Sequence, residues 1–166
     1  MSEIDNEVGG VLERFNNSLT SKKQAIEEAV KAEDEWVVGF DQKRKSVIRP
    51  TMEALGEKLR AKEHDYNIVE TQFRRDNRAI PDEASIRMDL YLSTDRTRTG
   101  IGMDRRPYIQ FKTHHRSKLV HLIVSDMTDR GGEVSKEGEY PLDKVDATLI
   151  KEKFILLFQR LMRKMV

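Results

Sequence analysis

Residues 55–73, LGEKLRAKEHDYNIVETQF, contain the point at which the hydrophobic pattern of this chain changes. Up to Asp65 the apolar residues recur every three or four positions, which is typical of a helix. From Tyr66 to about Met127 they alternate with polar residues in twos, which is typical of strands that bury one face. A helical pattern returns at Phe154. This order predicts an α+β fold with a long N-terminal helical arm, an antiparallel sheet and a C-terminal helix packed on the sheet.

The helical arm carries an apolar stripe at spacings of three, four and seven residues. Its members are Ile26, Val30, Val37, Phe40, Val47, Ile48, Met52, Leu55 and Leu59. Charged residues interrupt the stripe at Glu33, Asp34 and Arg44, so it is not a regular coiled-coil heptad. Pro50 lies within the stripe and removes a backbone hydrogen bond, which predicts a kink or break near Ser46–Pro50.

The first twenty residues are ambiguous between a helix and a flexible segment. Helical spacing relates Val8, Val11, Leu12, Phe15 and Leu19. Against a helix, Gly9 and Gly10 each weaken it by roughly 1 kcal/mol relative to alanine. The run Asn16-Asn17-Ser18 predicts a break, and Ser21-Lys-Lys-Gln24 matches a capping box that would begin a helix.

Four strands are predicted within the period-two region. Apolar residues alternate at 69–73, 86–92 and 109–113, whereas 119–127 is apolar at nearly every position. That last pattern predicts an interior strand covered on both faces. Residues 129–138 are polar and are predicted as loop, and Asp143 or Asp146 is expected to cap the final helix. The predicted organisation is a helical arm over residues 1–65 and a sheet with a closing helix over residues 66–166, packed together as one domain.

Composition excludes several classes of site. Cysteine is absent, so neither disulfides nor thiolate metal sites can form. The longest apolar runs, LVHLIV and FILLF, are too short to span a bilayer, so we predict a cytoplasmic protein without a membrane partner. The formal net charge is +1, but residues 1–40 hold four basic and nine acidic side chains, a local net charge of −5. No cofactor is predicted.

The most suggestive polar stretch is residues 94–106, TDRTRTGIGMDRR. It contains three threonines, two glycines and the four arginines Arg96, Arg98, Arg105 and Arg106. Guanidinium groups and glycine amides suit phosphate or carboxylate, although the order of a nucleotide-binding P-loop is missing. Tyr91 and Tyr108 are expected to point outward from the sheet, where they could stack on bases.

Histidine and carboxylate patterns predict neither a metal site nor a catalytic residue. His114 and His115 are adjacent, so on a strand they point to opposite faces and cannot grip one metal together. His121 is placed to pair across a hairpin with one of them. No metal-ligand spacing and no nucleophile motif surrounds these residues.

Two helical segments, the Ile26–Leu59 stripe and FILLF, offer more apolar surface than one small sheet face needs. We therefore expect a non-enzymatic interaction module that associates with a second copy or with a helical protein. The expected self-association residues are Ile48, Met52, Leu55 and Leu59. The alternative is binding of nucleic acid or another anionic ligand through Arg96, Arg98, Arg105 and Arg106, and a third is an enzyme whose site follows no recognisable motif.

Overall fold

The computed structural model describes residues 2–76, 80–93 and 106–164, and they form the expected α+β fold. Helix α1 spans Glu3–Lys43, a π-helical turn spans Arg44–Ile48, and helix α2 spans Arg49–Arg60. The strands are β1 (Asp65–Thr71), β2 (Ser85–Tyr91), β3 (Tyr108–His114), β4 (Leu119–Ser125) and β5 (Val134–Tyr140). A 3-10 turn at Leu142–Lys144 precedes helix α3, Ala147–Lys164.

Internal contacts divide the chain into two compact units, Met1–Glu35 and Trp36–Val166. We call them the N-terminal unit and the C-terminal unit. The N-terminal unit is the first part of α1, and the C-terminal unit holds the rest of α1 with α2, the sheet and α3. The helical segment from residue 36 to residue 60 thus belongs with the sheet. Among the described residues, no helix combines the length and the apolar character that a membrane crossing requires.

Helix α1 begins at a reciprocal capping box between Ser2 and Asp5. The Ser2 hydroxyl oxygen accepts the Asp5 amide at 3.2 Å, and the Asp5 carboxylate accepts the Ser2 amide at 3.2 Å and the Ser2 hydroxyl at 2.7 Å. The predicted break at residues 16–18 and the predicted helix start at Ser21 are wrong, because both lie inside α1. Asparagine and serine cost less than about 1 kcal/mol each in a helix interior, which does not stop a long helix.

The irregularity predicted near Ser46–Pro50 is present as the π-helical turn between α1 and α2. The Arg49 amide reaches back five residues to the Arg44 carbonyl, and Pro50 lies in the first turn of α2. Proline is tolerated there because its missing N–H has no obligatory partner in the first turn. The extra residue in the preceding turn is the local adjustment that lets the helical path continue into α2.

Within the described residues the sheet has five antiparallel strands in the order β1-β2-β3-β4-β5. The prediction of four strands was one too few, because residues 134–140 were interpreted as loop. Strand β5, VSKEGEY, pairs with β4 from Val120↔Tyr140 to Ser125↔Val134. Its carboxylate Glu137 also accepts the Arg160 guanidinium of α3, with Nη2 2.8 Å from Oε2. An edge strand held by backbone bonds and an ion pair carries little apolar alternation, so its sequence resembles a loop.

The core lies between one face of the sheet and the helices. The strands supply Ile86, Met88, Leu90, Ile109, Phe111, Val120, Leu122 and Val124, and the helices supply Phe40, Ile48, Met52, Leu59, Ile150, Leu157 and Leu161. Strand β4 is interior, as predicted, but its outward residues His121 and Ile123 are only partly buried. The Leu149 amide donates to Asp146 Oδ1 at 2.8 Å, which confirms Asp146 as the cap of α3.

Arg44, which interrupts the apolar stripe, is 1% exposed. Its Nη1 donates to the carbonyls of Thr71 at 2.9 Å and Ser85 at 3.2 Å. Its Nη2 donates to Asp41 Oδ1 and, at 2.9 Å, to Gln72 Oε1. The guanidinium therefore ties the π-helical turn to the end of β1 and the start of β2. A charge can be buried here because four hydrogen bonds replace its water.

Gly56, in the middle of α2, lies against the ring of Tyr66 from β1. A Cβ added to Gly56 would approach Tyr66 ring atoms to 2.3 Å. The ring has little room to move, because its hydroxyl donates to Glu57 Oε1 at 3.1 Å and the Arg60 guanidinium lies 4.5 Å from its centroid. The glycine is thus required by the close approach of β1 to α2, at the expense of helix propensity.

We predict that Gly56→Ala lowers the free energy of unfolding by about 1–3 kcal/mol, because overpacking against the ring outweighs the gain of about 1 kcal/mol in helix propensity. Urea denaturation measures the change. Gly9→Ala is the matched control: nothing lies within 4 Å of its added Cβ, so helix propensity should act alone and helicity should rise. In a Tyr66→Leu background, Gly56→Ala should become neutral or stabilising. A stabilising effect in the wild-type background would contradict the close packing.

Candidate functional site

The N-terminal unit exposes a set of large apolar side chains. Within residues 2–35, all of them described, the exposed members are Ile4 (70%), Val8 (51%), Val11 (51%), Leu12 (56%), Phe15 (58%), Leu19 (41%) and Ile26 (54%). Because α1 is continuous through this region, residues three, four and seven apart lie along one side of it. The helix therefore presents an exposed apolar stripe.

The residues predicted for self-association have a different location. Ile48 and Met52 are 0% exposed and Leu59 is 7% exposed, all within the core of the C-terminal unit, and Leu55 packs partly buried against that core. The sheet and α3 of the same chain pack against these side chains. The sequence suggested this α2 segment because an apolar stripe has the same spacing whether it packs against its own chain or against a partner protein.

In helix α3 the apolar run at residues 154–158, FILLF, covers more of the helix surface than a single apolar stripe. Leu157 is buried, and Phe154 and Phe158 pack against the core with their ring centroids 4.7 Å apart. Ile155 and Leu156 remain 54% and 43% exposed. The apolar run thus combines core contacts with a small exposed pair.

The second candidate surface is the outer face of the sheet, opposite the helices. Strand pairing places Arg87 beside Gln110 and Asp89 beside Tyr108 on this face. The Arg87 guanidinium lies 5.0 Å from the Tyr108 ring centroid and its Nε lies 2.9 Å from Asp89 Oδ1. Burial raises the pKa of the Tyr108 hydroxyl, and the neighbouring Arg87 charge opposes that rise. The ring predicted to stack on bases is therefore already stacked on an arginine.

Arg106 is the one residue of the arginine set that the structure describes; Arg96, Arg98 and Arg105 lie outside the described residues. Its guanidinium carbon lies 4.3 Å from the ring centroid of Tyr91, and its Nη1 donates to the Tyr91 hydroxyl at 2.7 Å. The Arg106 carbonyl accepts the buried Ser125 hydroxyl at 3.0 Å. Side chain and backbone are thus both anchored to the sheet, and the partly exposed guanidinium has a defined position on its outer face.

A cleft of about 570 Å³ opens at one end of the outer face, where β1, β2 and β3 meet the segment after β1. Several of its polar lining groups are engaged within the chain. Gln72 accepts from Arg44 at 2.9 Å, and Gln110 donates to Ser85 Oγ at 3.2 Å. Glu83 accepts the His115 amide at 3.1 Å and hydrogen-bonds the His115 ring. These bonds hold the ends of the strands in place.

The histidines are arranged as the strand pattern implied. The buried His115 faces the partly buried Glu83. His114 lies on the outer face and stacks on His121 across the β3–β4 hairpin, with ring centroids 4.9 Å apart and planes 11° from parallel. His121 Nε2 is 3.5 Å from Glu139 Oε1 on β5. Across the described ranges, no group of three or more histidine and carboxylate side chains could hold a metal ion.

His121 has a perturbed acidity with an identifiable cause. Burial lowers the pKa of His121 below its usual 6.5, and the neighbouring positive charges of Lys136 and His114 lower it further. The Glu139 and Glu83 carboxylates act in the opposite direction and are outweighed. The folded protein therefore resists protonation of His121.

Comparison with protein families, characterised proteins and solved structures finds no match for this chain. The two surfaces themselves are therefore the only features described above that bear on function.

We predict that His121 makes the protein less stable as the pH falls. Because the folded-state pKa is below 6.5, the unfolded chain binds a proton that the folded chain resists, so stability decreases below about pH 6.5 until the folded pKa is passed. Urea midpoints at pH 7.5 and pH 5 should differ less in His121→Gln than in the wild type. In Lys136→Gln the difference between the two midpoints should be intermediate. If both variants kept the wild-type difference, His121 would not be the source of the pH dependence.

Proposed function

We propose that the protein is a non-enzymatic, cytoplasmic interaction module that self-associates through the N-terminal unit. The observation that carries the proposal is the exposed apolar stripe of Ile4, Val8, Val11, Leu12, Phe15, Leu19 and Ile26. Contiguous exposed apolar surface on a water-soluble helix is characteristic of a partner contact.

Helix energetics support a partner for this stripe. Gly9 and Gly10 together cost about 2 kcal/mol of helix propensity relative to alanine. Helices in proteins owe most of their stability to the packing of an apolar face rather than to propensity. In the C-terminal unit the same helix has such packing, since Val37 and Phe40 are 6% and 0% exposed. Burial of the stripe against a second helix would supply the equivalent stabilisation to residues 2–35.

The charge of the N-terminal unit favours a protein partner over an anionic lipid surface. Residues 2–35 hold four basic and nine acidic side chains, a net charge of −5. Helices that lie on anionic membranes carry lysine and arginine on their polar face. A second copy of the chain is the partner we propose, because it always accompanies the first and carries a matching stripe.

We predict that light scattering on the full chain at tens of micromolar gives about twice the monomer mass. Leu12→Asp with Leu19→Asp should shift the protein to monomer, because each change places a carboxylate in the apolar contact. The unfolding midpoint of the C-terminal unit should be retained. Asn17→Asp with Gln24→Asp is the control: it adds the same two negative charges at exposed positions outside the stripe and should leave the dimer intact. A monomeric wild type at several hundred micromolar would sink the proposal.

A second candidate function is binding of an anionic ligand such as single-stranded nucleic acid at the outer face of the sheet. The anchored and partly exposed Arg106 guanidinium favours it. His114 and Lys112 add exposed side chains on the same face. Because Arg106 is held by Tyr91, an anion would bind without first ordering that side chain.

We predict that the protein is retained on a single-stranded DNA column at 50 mM salt and released as salt rises, because counterion release weakens phosphate contacts. The variant with Arg96, Arg98, Arg105 and Arg106 all changed to serine should flow through. The charge-matched control replaces four lysines with serine and should still be retained. These lysines are exposed and lie outside residues 94–106: Lys58, Lys62, Lys144 and Lys151. If both variants lost retention equally, binding to the column would depend only on the net charge of the protein.

A further inference from the structure

The exposed stripe of the N-terminal unit follows a heptad pattern that also includes two charged residues. Val8, Leu12, Phe15, Leu19 and Ile26 are separated by four, three, four and seven residues. In heptad terms Leu12, Leu19 and Ile26 take the a positions, and Val8 and Phe15 take the d positions. Continuing the pattern places Asp5 at a and Lys22 at d. A helix that packs along this stripe must therefore accommodate one negative and one positive charge.

The orientation of two identical helices decides what those charges meet. In a parallel pair each residue faces its own copy, so Asp5 would face Asp5 and Lys22 would face Lys22, and like charges repel. In an antiparallel pair a positions face d positions. In the antiparallel alignment that sets Leu12 opposite Phe15, Val8 is opposite Leu19 and Asp5 is opposite Lys22.

Other antiparallel alignments do not match both charges. A shift of one heptad in one direction sets Asp5 against Ala29 and Lys22 against Leu12, and a shift in the other direction sets Asp5 against Phe15. Burying a charge against an apolar residue costs free energy that an ion pair avoids. The alignment that sets Leu12 opposite Phe15 therefore pairs both charges and four of the five apolar heptad positions, and Ile26 lies beyond the contact.

The overall charge of the helix supports the same alignment. It brings residues 2–25 of the two chains together, and these hold four acidic and three basic side chains, a net charge of −1. Residues 26–35 hold five acidic side chains and one basic, a net charge of −4, and lie beyond the overlap. The paired segments are thus nearly neutral, while the strongly acidic segments are not placed against each other.

Both charged side chains are accessible for this pairing. The Asp5 carboxylate accepts bonds from Ser2 at the start of the helix and is exposed. Lys22 is exposed and has no ion-pair partner among the described residues.

We infer that two copies of the chain pair through an antiparallel two-helix contact over residues 4–23, in which Asp5 of each copy faces Lys22 of the other. The inference rests on the proposed self-association and adds its orientation and alignment.

Disulfide trapping tests the orientation, because the chain contains no cysteine. Val8→Cys and Leu19→Cys proteins, mixed and mildly oxidised as full-length chains, should form the mixed disulfide as the main product. Val8→Cys alone should form little disulfide, since eleven residues separate positions 8 and 19. At a rise of about 1.5 Å per residue this is about 16 Å, beyond the Cα separation of about 7 Å that a disulfide allows. Rapid Val8→Cys self-linkage would show a parallel pair and overturn the inference while leaving self-association in place.

Charge exchange tests the alignment. Lys22→Asp should weaken the dimer at least tenfold, because two acidic pairs replace two ion pairs, and adding Asp5→Lys should restore most of the affinity. Lys31→Asp, the same charge change beyond the overlap, should have a much smaller effect. A double variant that remains as weak as Lys22→Asp alone would refute the alignment. A dimer of wild-type mass that forms none of these disulfides would place the contact elsewhere, and a monomer would remove both proposals.

Discussion

The buried guanidinium of Arg44 is the constraint on which the C-terminal unit depends. It joins the π-helical turn to the carbonyls of Thr71 and Ser85 and to Gln72, so the helical segment and the β1–β2 pair are held at one point. Removing the cation would leave these acceptors without their donor in a water-poor place, which costs more than the bonds themselves contribute. Arg49 extends the connection, since its Nη1 lies 3.2 Å from Glu70 Oε1 on β1.

This attachment has consequences for both faces of the sheet. One face is covered by the helices and contains the apolar core, so binding chemistry can develop only on the other face. There two cations lie against aromatic rings, Arg87 against Tyr108 and Arg106 against Tyr91. Such pairs orient the guanidinium groups and also cover part of each ring. The outer face is therefore better suited to contacts with an anion than to the stacking of bases on tyrosine.

Along helix α1, apolar residues with the same helical spacing are buried in one part and exposed in another. Phe40 is fully buried by the C-terminal unit, whereas Phe15 is 58% exposed although it belongs to a similar stripe. The difference lies in what is available to pack against each segment. In the proposed dimer the exposed stripe supplies the contact, and the charges of Asp5 and Lys22 limit the orientations in which two stripes can meet.

The sequence by itself determined the α+β class, the change from helix to sheet near Tyr66, four of the strands and the Asp146 cap, because these depend on local periodicity and short-range hydrogen bonds. The continuity of α1 through residues 16–24 escaped prediction, although the Ser2 and Asp5 box was a readable signal for its start. Strand β5, the burial of Arg44 and the place of Gly56 beneath Tyr66 were decided by tertiary structure. Each depends on a partner distant in sequence, and so does the burial of an apolar stripe: its spacing predicts an apolar helix face, but only the folded arrangement decides whether the rest of the chain covers that face.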